Sequence, residues 1–158
     1  MKLIEDTRQK AEKHENKHEY FREHGHEVIR SKLVFGDYSL TPSVAIDTKQ
    51  DIQEIAANMC GSMREKSRFR EECKLAQEAD SKLIILIEDE RYHSIDDLYE
   101  KTIRLRSGWT IKGDQLAKAM AVMHERYGVD FMFCDPADSG RIIIELLEKH
   151  NGSSKTNK

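Results

Sequence analysis

The chain has 158 residues, long enough for one domain with a real core and too short for two of ordinary size. Hydrophobic residues make up 38% and charged residues 35%, the composition of a globular domain with a heavily charged surface. Its 26 basic and 29 acidic residues leave a net charge of −3, which argues against a protein that coats polyanions through cationic excess.

The three cysteines, Cys60, Cys73 and Cys134, show no CxxC spacing. Neither a disulfide framework nor a four-thiolate zinc site is expected, and a reducing cytoplasm is the natural compartment. The start turns acidic at Glu5-Asp6, so no signal peptide is expected. The longest apolar run, 83–87, is far too short to cross a bilayer.

In chain order, Leu3-Ile4 reads as a short strand ending in acids. Residues 9–24 form a polar helix closed by Gly25, and the β-branched and apolar residues of 28–35 form a strand that stops at Gly36-Asp37. Residues 43–49 are a second strand, with Val44 and Ile46 on one face and Ala45 and Asp47 on the other. Thr41-Pro42 suits a tight connection, so 28–35 and 43–49 are expected to pair as a hairpin. Helices follow at 51–59 and 64–79, the second carrying Phe69, Cys73 and Ala76 as its buried stripe. Residues 82–88 lack alternation, as in a strand covered on both faces. A helix is expected within 95–106, with Ser107-Gly108-Trp109 as a loop in which Trp109 anchors by burial. A helix at 114–127 is closed by Gly128, 130–134 is a strand, and Asp138 caps a last helix carrying Ile142, Ile143, Leu146 and Leu147. This predicts one α/β domain over 1–150, a mixed central sheet with helices on both faces, and a flexible tail over 151–158.

The acids carry the chemistry. Asp37 and Asp47 fall in opposite arms of the expected hairpin, and Lys49 leaves the same strand face as Asp47. Two carboxylates and an ammonium at one sheet edge suit a hard cation such as Mg²⁺ facing a phosphodiester. The lysine would position water. A D…D-x-K pattern is by itself common.

Gly36-Asp37-Tyr38…Asp47-Thr48-Lys49 resembles the GDY…ERK signature of the XPF-type branch of the PD-(D/E)XK, restriction-endonuclease-like nucleases. Asp6-Thr7-Arg8 resembles that family's early D-x-R element, and Arg68-Phe69…Glu72-Cys73 its helix motif. Residues 83–88 resemble the strand that follows, and 112–147 resembles the end of small bacterial and phage proteins carrying the domain.

The resemblance implies a Mg²⁺- or Mn²⁺-dependent DNA endonuclease in the cytoplasm of a bacterial or phage-infected cell, acting in repair, recombination or phage DNA metabolism. Asp37, Asp47 and the Thr48 carbonyl would ligate metal. Lys49 and Asp6 would be catalytic, with Asp6 and Glu72 completing the metal site. Arg8, Arg68, His14 and Lys17 would contact phosphate. Three departures stand out: the family arginine is Thr48, the aspartate four residues after the lysine is Gln53 (with Asp51 or Glu54 as stand-ins), and the helix glutamine is Glu72. No helix-hairpin-helix segment follows, so selection of forks, flaps or junctions would need a homodimer, a helicase or a DNA-binding partner. The competing reading is a noncatalytic nucleic-acid-binding or docking module that retains the fold.

His14-Glu15-Asn16-Lys17-His18 also satisfies HExxH, which places two histidines on one helix face for zinc. The helix is polar nearly all round, and a solvated face is the favoured reading.

Overall fold

The computed structural model describes residues 1–155. Its elements run β1 (Lys2–Glu5), α1 (Glu15–Glu23), β2 (Glu27–Arg30), β3 (Tyr38–Ser39), β4 (Val44–Lys49), α2 (Ile52–Cys60), α3 (Met63–Glu78) and β5 (Lys82–Glu88). They continue with β6 (Thr102–Arg104), β7 (Thr110–Lys112), α4 (Gly113–Tyr127), β8 (Asp130–Cys134) and α5 (Ser139–Lys155). Short 3-10 turns lie at Ala11–Lys13, Ile95–Leu98 and Pro136–Asp138.

Six strands form one sheet in the order β2-β1-β3-β4-β5-β8, parallel except where β3 runs against both β1 and β4. Strand alternation assigns the faces. Val44, Ile46, Ile84 and Leu86 meet Phe21 of α1 and Ile143, Ile144 and Leu147 of α5. Ala45, Leu83, Ile85 and Ile87 meet Ile55 of α2, Phe69 and Cys73 of α3, and Leu116 and Met120 of α4. The expected mixed sheet between two helical layers is the fold observed. Asp51 caps α2 by accepting from the Glu54 N–H at 2.9 Å, Ser62 caps α3 at 3.2 Å, and Gly128 closes α4 at a φ of +70°.

Three local expectations fail. The hairpin partner of β4 is the two-residue β3, not 28–35; β2 keeps only Glu27–Arg30 and pairs in parallel with β1. Beyond Arg30 the chain is drawn off the sheet, because Asp6 Oδ1 accepts from the Leu33 N–H at 2.9 Å and Arg8 donates to the Leu33 carbonyl at 2.9 Å. In place of a helix within 95–106 stand a 3-10 turn and the separate β6-β7 hairpin, whose inward residues are Ile103, Leu105 and Ile111. Asp138 does not cap α5; it lies in the preceding 3-10 turn, which Asp135 caps by accepting from the Ala137 N–H at 2.9 Å. Of the tail expected over 151–158, α5 takes residues as far as Lys155, and 156–158 lie outside the described residues.

Candidate active site

Three neighbouring strand ends build a row of acids. In β1 and β3, Glu5 stands opposite Tyr38, and in β3 and β4, Tyr38 stands opposite Ile46. One step further along each ladder, Asp6, Asp37 and Asp47 fall side by side. Backbone bonds from Asp6 N–H to the Asp37 carbonyl (2.8 Å) and from Asp37 N–H to the Ile46 carbonyl (2.7 Å) hold them there. Tyr38 and Ile46 point to the α1/α5 face. The acids therefore point to the opposite face, toward α3. The row ends at β5, where Ile85 stands opposite Asp47.

Gly36 makes the approach possible. Its φ is +77°, and a Cβ there would lie 2.8 Å from the Ala45 Cβ. Its N–H donates to Glu72 Oε1 at 3.0 Å, which brings the α3 carboxylate over the row. Lys49 Nζ lies 3.1 Å from Asp47 Oδ2 and 5.8 Å from the centre of the Phe69 ring. Asp37 Oδ2 accepts from both the N–H (2.8 Å) and the hydroxyl (3.0 Å) of Thr48. Arg8 Nε binds Asp6 Oδ2 at 2.6 Å.

The acids repel one another where water is scarce, at the floor of the cleft. Burial first, and then the Asp47 charge, push the Asp37 carboxyl well above the usual range. The same two causes, in the same order, push Glu72 up to about 8. Burial would pull Lys49 down, but Asp47 and Glu72 raise it above the ordinary lysine value, so it carries its proton at neutral pH. An excess of buried and half-buried carboxylate oxygens over cations fits a hard divalent ion by donor chemistry. Among the described residues, no three His, Cys, Asp or Glu side chains stand as a ready-formed ion site.

Other candidates take different places. Arg68 is exposed and lines the same cleft of about 810 Å³ as the acids, without an ion pair to Glu72 among the described residues. His14 and Lys17 do not join them. Lys17 is buried and bonds Glu88 Oε1 at 2.8 Å and His14 at 3.0 Å. Glu88 follows Ile84 and Leu86 on the α1/α5 face, so this cluster sits behind the sheet. Burial and the Lys17 charge lower His14 to about 4, so it is neutral at pH 7 and offers phosphate no charge.

The HExxH spacing brings no zinc site together either, since His18 is bound to the buried Glu5 at 2.6 Å. Asp51 and Glu54 are occupied in capping: Asp51 also pairs with Arg106 at 2.9 Å, and Glu54 accepts from the Gln50 N–H at 3.0 Å. Gln53 accepts from Arg91 at 3.0 Å. Sequence reasoning did not anticipate Asp89. Buried after β5, it accepts from the Ile52 N–H at 3.0 Å and grips Arg91, which ties the start of α2 to the sheet beside Lys49. The Glu88-Asp89 pair at a strand end was its one visible sign.

A mixed sheet between two helical layers thus presents a row of acids and a lysine to one helix. The chain belongs to the ERCC4 domain family, whose model matches residues 6–146. Solved structures share the fold, among them two of XPF. XPF from Aeropyrum pernix in complex with DNA superposes with a TM-score of 0.67 at 20% identity, over 96% of this chain and 66% of that one. XPF from Aeropyrum pernix gives 0.67 at 19% identity, over 96% and 65%. The chain thus spans about two thirds of the length of either XPF chain. No curated protein sequence matches it.

Proposed function

We propose that this domain is an endonuclease that hydrolyses DNA phosphodiesters with Mg²⁺ or Mn²⁺. The observation that carries the reading is the row Asp6, Asp37, Asp47 with Lys49 and Glu72 in one cleft of an ERCC4 domain. Asp37, Asp47 and the Thr48 carbonyl are the proposed ligands, with Asp6 and Glu72 completing the polar shell. A bound cation supplies Lewis-acid stabilisation of charge on the phosphate. Lys49, steered by Asp47, donates to and orients the attacking water. Glu72, held over the row by the Gly36 N–H, adds a further carboxylate facing the same cleft. Arg8 and Arg68 on the cleft walls hold flanking phosphates.

DNA as the partner is supported by the family and by the XPF neighbour in complex with DNA. The proposed setting is repair, recombination or phage DNA metabolism, with choice among forks, flaps and junctions supplied by a second copy, a helicase or a DNA-binding partner. One observation favours the noncatalytic alternative: Asp37 Oδ2 is already engaged by Thr48, where the resemblance implies arginine.

The test is cleavage of supercoiled, linear, forked and flapped DNA with Mg²⁺ or Mn²⁺. Asp47→Ala and Lys49→Ala should each lose at least about a hundredfold in rate while remaining folded, in line with removing a group that acts on transition-state charge. Unchanged cleavage in both variants would contradict the assignment. No cleavage by the folded wild type on any substrate would favour the noncatalytic module.

A further inference from the structure

The β6-β7 hairpin turns its apolar residues Ile103 and Ile111 inward, yet leaves Trp109 77% exposed. Leu105 N–H to the Trp109 carbonyl (2.7 Å) and Gly108 N–H to the Leu105 carbonyl (2.9 Å) fix the turn, with Gly108 at a φ of +94°. Trp109 and Ile111 line a cavity of about 750 Å³ between the hairpin and α2, walled also by Gln53, Asn58 and Arg106. That space is of the size that takes a nucleotide. Asn58 and Glu65 line both this cavity and the cleft over the acids, so the two adjoin.

Charge supplies a second observation. Residues 101–112 carry Lys101, Arg104, Arg106 and Lys112 and no acid, in a chain of net charge −3. Only Arg106 of these four has a carboxylate partner among the described residues, Asp51 at 2.9 Å. Arg104 and Lys112 are exposed and lie on the outer side of the ribbon, alternating with Ile103 and Ile111.

We infer that the hairpin is a binding arm for an unpaired DNA strand: Trp109 stacks on a base entering the cavity, and Arg106, Arg104 and Lys112 hold the adjoining phosphates. An exposed aromatic ring beside cations, of which Arg104 and Lys112 have no carboxylate partner among the described residues, is the chemistry that binds single strands without reading sequence. The assignment rests on the DNA-processing reading above. It adds where an unpaired segment lies relative to the acids.

Trp109 is the chain's only tryptophan, so its fluorescence reports this site alone. The experiment titrates oligothymidylate, and separately a duplex of equal length, into the full chain in chelator, reading tryptophan emission and the anisotropy of labelled DNA. Saturable quenching by the single strand at lower concentration than by duplex is expected. Trp109→Ala should weaken single-strand binding at least about fivefold by anisotropy, with Trp109→Phe restoring most of it. Arg104→Glu with Lys112→Glu should flatten its salt dependence. Absence of binding, binding without quenching, or equal binding by Trp109→Ala would overturn the inference. So would emission that ignores DNA but shifts on dilution of the protein, the mark of a contact between copies. No cleavage is involved, so a failure of the nuclease reading leaves this result separate.

Discussion

At the scale of single residues, the row of acids depends on alternation. Asp6, Asp37 and Asp47 share a face only because each lies one step beyond a paired residue, and Glu5 and Tyr38 on the other face are bound into the α1/α5 layer. Neighbours in sequence thus serve different ends. His14 illustrates the same partition, since it sits among Lys17, Lys13, His18 and Glu5 behind the sheet. Its folded-state value of about 4 lies below the ordinary 6.5, so the unfolded chain binds more protons between these limits. The stability tied to neutral His14 is therefore complete above pH 6.5 and lost as pH falls toward 4. Melting temperatures across this range should fall more steeply for wild type than for His14→Gln. Parallel profiles would show that His14 is not held neutral by its surroundings.

At the scale of elements, what was legible followed the strength of the local signal. The unbroken apolar run of β5 and the stripe of Phe69, Cys73 and Ala76 on α3 each have one physical solution, and the structure adopts it. Asp47 and Lys49 could be placed because a long strand fixes their common face. The two-residue β3 could not be read, being too short to show a period, and 28–35 looked like a strand until Asp6 and Arg8 took Leu33 out of the ladder. β6 and β7 each bury one central residue, Ile103 and Ile111, which is no periodicity at all, and so the exposure of Trp109 was missed.

The pairing of α1 to β5 through Lys17 and Glu88 was equally invisible, because it joins distant segments through charges that looked solvated. Both side chains are buried, so removing one partner leaves the other uncompensated. Lys17→Met should destabilise the domain by about 3–5 kcal/mol in denaturant unfolding. Lys17→Met combined with Glu88→Leu should recover most of that loss. A single variant as stable as wild type would show that the pair contributes no net coupling.

At the scale of the whole molecule, one sheet separates two kinds of polar chemistry. Behind it, His18 bonds the buried Glu5 and Lys17 pairs with Glu88, each polar group meeting its partner within the protein. In front, Asp37, Asp47 and Glu72 outnumber Lys49, and the cleft they line is open. The fold of an ERCC4 domain and this excess of carboxylate both support the proposal that the front face receives a cation and a phosphate. The measurement that tests this most directly is Mn²⁺ binding by calorimetry to wild type, Asp47→Ala and Lys49→Ala, in the absence of DNA. Saturable binding by wild type, weakened at least about tenfold in Asp47→Ala and retained in Lys49→Ala, is the result expected when first-coordination carboxylates hold the metal. No saturable binding by the folded wild type, or binding indifferent to Asp47, would contradict the account.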